Sequence, residues 1–170
     1  MKKKKINKDN AILIALCAAD QRDRVPNFYK GNEFLVSKRD QRRRTIVSAL
    51  IRRAGLNTAS DFYNAALIFQ HGSKERDYKL AQNLAHKALR RGHEGAPWLF
   101  AAATDRLLLE QGKKQKFGTQ FELRRVNRNQ RQSIPKFVIS RFDRRTSDRT
   151  RIQFGVPRLR QLLRMAKTLS

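Results

Sequence analysis

The apolar positions in the first third of the chain recur at helical spacing. A first helix is predicted over roughly 10–23 and a second from Asp40 to Ala54, whereas residues 26–40 lack the pattern and are predicted to form an irregular loop. The predicted inward positions are Ile12, Leu13, Leu16 and Ala19 in the first helix and Ile46, Val47, Leu50, Ile51 and Ala54 in the second. Both helices are therefore expected to bury one face.

Three Ala-rich helices are predicted in the middle of the chain. The first runs from near Thr58 or Ser60 to about 70, the second covers about 75–91, and the third runs from Pro97 to Gly112. Short loops separate them, and their spacing resembles the helix pairs of tetratricopeptide and Sel1-type repeats. No strict repeat period is present, so the pattern predicts at most one and a half imperfect repeat units.

After Gly112 the pattern changes to partial alternation with β-branched residues. This predicts a short basic β-hairpin-like element near 113–142 with its tip at Asn127–Gln132, followed by a last helix from Pro157. The fold class is thus mainly α, a small helical domain with repeat-like helix pairs and this hairpin. Residues 1–9 are predicted to be a basic N-terminal arm, and 10–170 a single helical domain whose part 113–170 is basic.

Charge is distributed unevenly along the 170 residues, which carry a net charge of +25. Residues 1–60 hold 15 Lys and Arg against 5 Asp and Glu, residues 61–111 hold 7 against 6, and residues 112–170 hold 17 against 3. Of the 39 basic residues 24 are Arg, the side chain that pairs bidentately with phosphate. Such a surplus favours a polyanionic partner, foremost nucleic acid.

The sequence offers little for metals, cofactors or membranes. Cys17 is the sole cysteine and lies in an apolar stretch, so it is expected to pack as a small hydrophobe. The histidines at 71, 86 and 93 are not spaced as metal ligands, and neither a metal nor another cofactor is predicted. The apolar run 11–19 is too short to span a membrane, so a cytoplasmic protein is expected.

Four segments resemble an uncharacterised bacterial family of helical proteins. The stretch DRLLLEQGKKQKFGTQ (105–120) is similar to that family's signature of DR, then Gly, then Q-x-(Tyr/Phe)-G-T-Q. The segments ADQRDR (19–24), ALIFQHG (66–72) and TRIQFGVPRL (150–159) resemble its other motifs in the same order. The resemblance implies an α-helical domain with a small β-like element and implies no activity. Phe117 stands where the family usually has Tyr.

The polar residues of these motifs have two interpretations. In the functional one they line a hydrolase or nuclease site, with His71 as acid or base, Asp105 orienting it, Arg106 or Arg24 holding an anion, and Gln120 nearby. In the structural one they form a buried network, in which Asp105 pairs with an arginine while Thr119 and Gln120 satisfy backbone groups at the Gly118 turn. The structural interpretation is favoured.

Arginine clusters with few acids at helical spacing predict phosphate contacts. The candidate nucleic-acid-binding residues are Arg42, Arg43, Arg44, Arg52, Arg53, Arg124, Arg125, Arg128, Arg131, Arg141, Arg144 and Arg145. One or two phenylalanines of the basic part could stack on bases, and more are expected to fill the core: Phe117, Phe121, Phe137, Phe142 and Phe154.

Three hypotheses follow for the function. The leading one is an RNA-binding protein, such as a component of a ribonucleoprotein or a ribosome-associated protein, with RNA and other proteins of that assembly as partners. The second is the small hydrolase or nuclease built on His71. The third is a protein-interaction adaptor that uses the repeat-like helix pairs.

Overall fold

The structure is a computed structural model. The structure describes residues 8–129, 132–139 and 141–168, with side chains except at 27, 125–129 and 132–135. The basic arm predicted over 1–9 lies outside the described residues except for its last two positions.

The N-terminal third is more helical than its pattern predicts. Helix α1 spans Ala11–Asp23, and the Asn10 side chain caps it by accepting hydrogen bonds from the backbone of its first turn. The predicted loop over 26–40 is wrong: it contains α2, Pro26–Tyr29, and the first two turns of α3, Glu33–Arg52. At the start of α3 the apolar residues Phe34, Leu35 and Val36 are consecutive, so periodicity does not reveal the helix. Only Val36 of the three is buried.

Three packed helices form the centre of the molecule, as predicted. Helix α4, Ala59–Gln70, begins with a capping box between Thr58 and Asp61, and α5, Glu75–Arg90, and α6, Ala96–Glu110, follow after short loops. Alanines at their contacts let the three helices approach closely, and α1 and α3 cover them from one side. The buried centre of this main core includes Leu13, Val47, Ala65, Ala66, Ile68, Ala81, Ala85, Ala88, Leu99 and Ala103.

The predicted hairpin is present but shorter than the segment assigned to it. Strands β1, Glu122–Asn129, and β2, Gln132–Val138, pair antiparallel, with Glu122 opposite Val138 and a register shift between Asn127 and Asn129. Residues 113–121, expected to contribute to the hairpin, instead form a loop that precedes it. Of the tip predicted at Asn127–Gln132, residues 127–129 and Gln132 belong to the strands, and 130–131 lie outside the described residues.

A second, smaller core joins the C-terminal part to α6. Two short helices, α7, Asp148–Gln153, and α8, Leu159–Thr168, follow the hairpin; α8 confirms the predicted last helix, and α7 was not predicted. The second core consists of Ala101 of α6 with Phe117, Ile139, Val156, Leu162 and Ala166. No helix of the described part is both long enough and apolar enough to cross a membrane.

Candidate functional site

Three aspartates and three arginines form an ion-pair cluster between α1 and α3, which is buried or half-buried except at Arg39, whose side chain is 43% exposed. The aspartates are Asp20 and Asp23 of α1 and Asp40 of α3; the arginines are Arg24, Arg39 and Arg43. Arg43 lies at the centre: its Nη1 donates to Asp40 Oδ1 at 2.9 Å, and its Nη2 donates to Asp23. Charges taken out of water in this way need such partners.

The set of candidate nucleic-acid-binding residues therefore has to be corrected at Arg43 of α3. Arg43 is only 6% exposed, and its guanidinium donates to the aspartates. It is therefore not available to a nucleic acid. Arg44 is half-buried, and its Nη1 donates to the carbonyl oxygen of His71 at 2.8 Å. Arg42, Arg52 and Arg53 are exposed, and their role in nucleic-acid binding stays a prediction.

His71 is held by the ion-pair cluster at the end of α4. Its Nδ1 lies 3.0 Å from Asp20 Oδ2. Burial raises the pKa of the Asp20 carboxyl, but the hydrogen bond from His71 and the charges of His71 and Arg24 outweigh that effect and leave the pKa below its usual value. The carboxylate is thus charged and accepts the Nδ1 proton, which leaves Nε2 as the ring nitrogen not engaged by Asp20.

We expect this cluster to make the protein sensitive to acid. The folded-state pKa of Asp20 is lowered, so its stabilising contribution is complete above about pH 5. It is lost as the pH falls below the unfolded-state value of about 3.9 and on through the lower folded-state pKa. Urea unfolding between pH 7 and pH 3 measures this. An Asp20→Asn variant should be less stable at pH 7 and should lose less free energy of unfolding on acidification. If the free energy of unfolding fell equally with pH in both proteins, the assignment would be contradicted.

A cleft opens beside His71, where α1, α3, α4 and α6 meet. It has a volume of about 350 Å³ and is lined by Arg24, Arg44, His71 and Arg106, together with Tyr29, Glu33, Val36, Ser37, Asp40, Gly72 and Ser73. At Gly72 a Cβ atom would lie 2.3 Å from that of Asp77, so only glycine lets the chain pass at this point. The structure thus brings two of the candidate catalytic residues, His71 and Arg106, to one cleft.

Asp105 has a different role from the one predicted. It is fully buried, and its carboxylate accepts hydrogen bonds from the backbone N–H groups of Lys116 and Phe117 at 2.7 and 2.9 Å. It also accepts from the backbone N–H and the hydroxyl of Thr119, both at 2.8 Å. Among the described residues Asp105 contacts neither His71 nor an arginine; it holds the loop between α6 and the hairpin.

Gln115 and Gln120 complete this loop. The Gln120 backbone N–H donates to Gln115 Oε1 at 2.9 Å, and Gln115 Nε2 donates to the Gln120 carbonyl oxygen at 3.0 Å. The Gln120 side-chain oxygen accepts from Arg106 Nε at 2.9 Å. The side chains of Asp105 and Gln115 therefore satisfy the backbone of this turn, whereas the structural interpretation assigned that role to Thr119 and Gln120. Gln120 instead supports Arg106.

The C-terminal candidate arginines lie at the surface where they are described. Arg124, Arg141, Arg144 and Arg145 are exposed. The side chains of Arg125 and Arg128 lie outside the described part of the structure, as does the whole of Arg131. Arg151, which was not singled out, is buried and donates to carbonyl oxygens, including that of Phe117 at 3.1 Å.

Sequence reasoning missed the pairing of His71 with Asp20. Both residues belong to motifs that were recognised, but 51 residues separate them, and only the packing of α1 against α4 brings them together. Within the described residues, no group of three or more His, Cys, Asp or Glu side chains is placed to hold a metal ion.

Comparisons of the chain with protein-family models, curated proteins and solved structures found no match. The resemblance seen in the sequence motifs stays a prediction, and the site has to be interpreted from its own geometry.

Proposed function

We propose that the protein binds RNA through its basic C-terminal part, mainly by phosphate contacts. The observation that carries this proposal is a positive charge without internal compensation: residues 112–170 hold 17 Lys and Arg against 3 Asp and Glu. Each of those acids already contacts an arginine, Glu122 with Arg124, Asp143 with Arg145 and Asp148 with Arg151. The remaining surplus requires counterions or an external polyanion.

Three arginines at α1 and α3 contrast with this surface, whereas Arg42, Arg52 and Arg53 are exposed. Arg24, Arg39 and Arg43 have carboxylate partners inside the fold, so their charges add little to the field outside. The C-terminal part instead presents its cations to solvent. We define the C-terminal basic surface by its exposed members: Lys113, Lys114, Lys116, Arg124, Arg141, Arg144, Arg145, Arg149, Arg158, Arg160, Arg164 and Lys167.

The aromatic residues of the same region support phosphate contacts over base stacking. Phe117 is fully buried, and Phe121, Phe142 and Phe154 are packed against the second core. Phe137 is also partly buried. A surface rich in arginine whose phenylalanines serve the core fits recognition of the RNA backbone and shape, with little sequence discrimination.

The hairpin arginines are expected to contribute more to RNA binding than the basic residues of the nearly neutral segment 61–111. Replacing Arg124, Arg125, Arg128 and Arg131 by Gln should weaken RNA binding about tenfold at low salt and lower the salt slope by about one unit per lost phosphate contact. A matched control replaces the exposed α5 residues Arg76, Lys79 and Arg90, together with Lys74 just before that helix, by Gln. Fluorescence anisotropy with one labelled RNA hairpin compares the two.

Equal and small losses in both quadruple variants would contradict a dedicated binding element. The charge would then act as a diffuse field. A loss in the control that exceeds the loss in the hairpin variant would move the binding surface to α5.

A further inference from the structure

The cleft beside His71 contains arginine donors that the protein does not use internally. Arg24 from the end of α1, Arg44 from α3 and Arg106 from α6 line it together with His71. Its volume of about 350 Å³ lies within the range of small-ligand sites. Convergence of cations from three separate helices on one cleft is unfavourable unless something compensates their charge.

Arg106 has only neutral partners. Its Nε donates to the side-chain oxygen of Gln120 at 2.9 Å, and its Nη1 donates to the carbonyl oxygen of Gln70 at 2.9 Å. Among the described residues no carboxylate forms an ion pair with it, and its Nη2 makes no hydrogen bond. Burial lowers the pKa of the Arg106 guanidinium, and the charge of Arg24 acts in the same direction.

Arg24 has an unused donor as well. Its Nη2 contacts Asp40 Oδ2 at 2.7 Å and Asp20 Oδ1 at 3.3 Å. Its Nη1 is buried and has no hydrogen-bond partner within the described part of the chain. A buried guanidinium nitrogen without an acceptor is costly, which indicates that an acceptor comes from outside the chain.

The acids around the cleft are engaged elsewhere. Asp40 accepts from Arg24 and Arg43, and Asp20 lies behind His71. Glu33, on the exposed first turn of α3, accepts from the backbone N–H of Gly31 at 3.2 Å. Asp77 lies 3.7 Å from Arg44 Nε, so Arg44 is the cation of the cleft that this carboxylate offsets. Arg106 is therefore the cation of the cleft that no described carboxylate offsets, and it lies close to Arg24.

We propose that this cleft binds a phosphate monoester group, held between the guanidinium groups of Arg106 and Arg24. His71 Nε2, which is an acceptor when Nδ1 carries the proton, contacts the P–O–H group of the singly protonated ester. A phosphate offers several acceptor oxygens to donors that approach from different helices, and arginine matches its geometry. The hydrogen bond from His71 Nδ1 to Asp20 and that from Arg44 to the His71 carbonyl oxygen fix the imidazole and the end of α4. The cleft is thus organised before a ligand arrives.

This site is independent of the RNA-binding surface proposed above. Its residues lie between Arg24 and Arg106, whereas the C-terminal basic surface begins at Lys113. A failure of one proposal leaves the other in place, because the variants that test them share no residue.

Isothermal titration calorimetry of the full chain with inorganic phosphate tests the proposal, at constant ionic strength set with chloride. We expect a dissociation constant of about 1 mM or tighter for the wild type. Arg106→Gln should weaken binding at least about tenfold, the loss expected for a charge-assisted contact of about 1.4 kcal/mol. Arg90→Gln is the matched control, since it removes the same charge from an exposed position outside the cleft and should leave phosphate affinity unchanged.

A second variant covers the case in which Arg106→Gln does not fold. His71→Asn keeps an N–H donor in place of Nδ1 for Asp20 and removes Nε2, so it should fold and bind phosphate several-fold more weakly. In the wild type, the side-chain ¹⁵Nε resonances of Arg106 and Arg24 should shift on adding phosphate while that of Arg90 stays. This measurement needs no variant.

The source of the phosphate group is resolved by comparing ligands. If the protein prefers an oligoribonucleotide with a 5′-phosphate over the same chain without it, the ligand is an RNA end. If the two oligonucleotides bind equally and a nucleoside 5′-monophosphate or free phosphate also binds, the ligand is a small molecule. The proposal is overturned if the wild type shows no binding below about 10 mM phosphate. It is equally overturned if Arg90→Gln loses as much affinity as the cleft variants, or if the Arg106 and Arg24 resonances do not respond.

Discussion

Raising the salt concentration from about 50 to 200 mM is expected to lower the RNA affinity of the protein by roughly 10³-fold or more. Binding of several phosphates releases the counterions condensed on them, so the logarithm of the affinity falls linearly with the logarithm of the salt concentration. The C-terminal surplus of 17 basic over 3 acidic residues is large enough for several such contacts. Anisotropy titrations of a structured RNA at four or more salt concentrations give the slope.

The slope also separates the three functional hypotheses. An adaptor that binds proteins through the helix pairs has no reason to bind RNA at low salt. A nuclease that acts through the cleft would cleave the RNA, and cleavage should disappear in a His71 variant. A flat salt response, or no binding at about 50 mM salt, would contradict the RNA-binding proposal itself.

Only some of the formal charge is available for this effect. Arg24, Arg39 and Arg43 are occupied by aspartates, and Arg151 lies buried beneath the 116–119 loop. Neutralising them should disturb folding before it alters the salt slope. Counting arginines along the chain therefore overstates the external charge, and the structure is needed to separate internal cations from exposed ones.

The helices with a continuous apolar face could be predicted from the sequence. Helices α4, α5 and α6 bury alanines and leucines at helical spacing, and their predicted limits agree with the observed ones within a few residues. The first two turns of α3 and all of α7 could not, for different reasons. The start of α3 has three consecutive apolar residues, of which only Val36 is buried, and α7 has 6 residues, which is too short for periodicity to appear.

The cleft could be predicted only in part, because its partners are distant in sequence. The pairing of Asp40 with Arg43 follows helical spacing and could be expected from the sequence. The pairings of Asp23 with Arg43 and of Asp20 with His71 depend on how α1 packs against α3 and α4. Recognising the motifs brought Asp20, His71 and Arg106 to attention without assigning the contacts among them.

The partners of Asp105 are also distant in sequence, so its contacts could not be predicted. Replacing Asp105 by Ala should lower the free energy of unfolding by about 3 kcal/mol. Three backbone N–H groups, of Lys116, Phe117 and Thr119, and the Thr119 hydroxyl would lose their acceptor at once. Because Phe117 is fully buried, its N–H cannot turn to water without opening the second core. Urea or thermal unfolding of the purified variant measures the loss.

Thr119→Val is the matched control, because it removes the hydroxyl contact and keeps the backbone ones. Its loss should be about 1 kcal/mol, the value of one hydrogen bond. If Asp105→Ala instead unfolded like the wild type, the backbone of 116–119 would have to hold its shape without the carboxylate. An Asp105 variant of normal stability that lost phosphate binding or cleavage would return this residue to the cleft chemistry. Loss of stability with intact phosphate affinity at low temperature is the result expected of a carboxylate that shapes the loop behind Arg106.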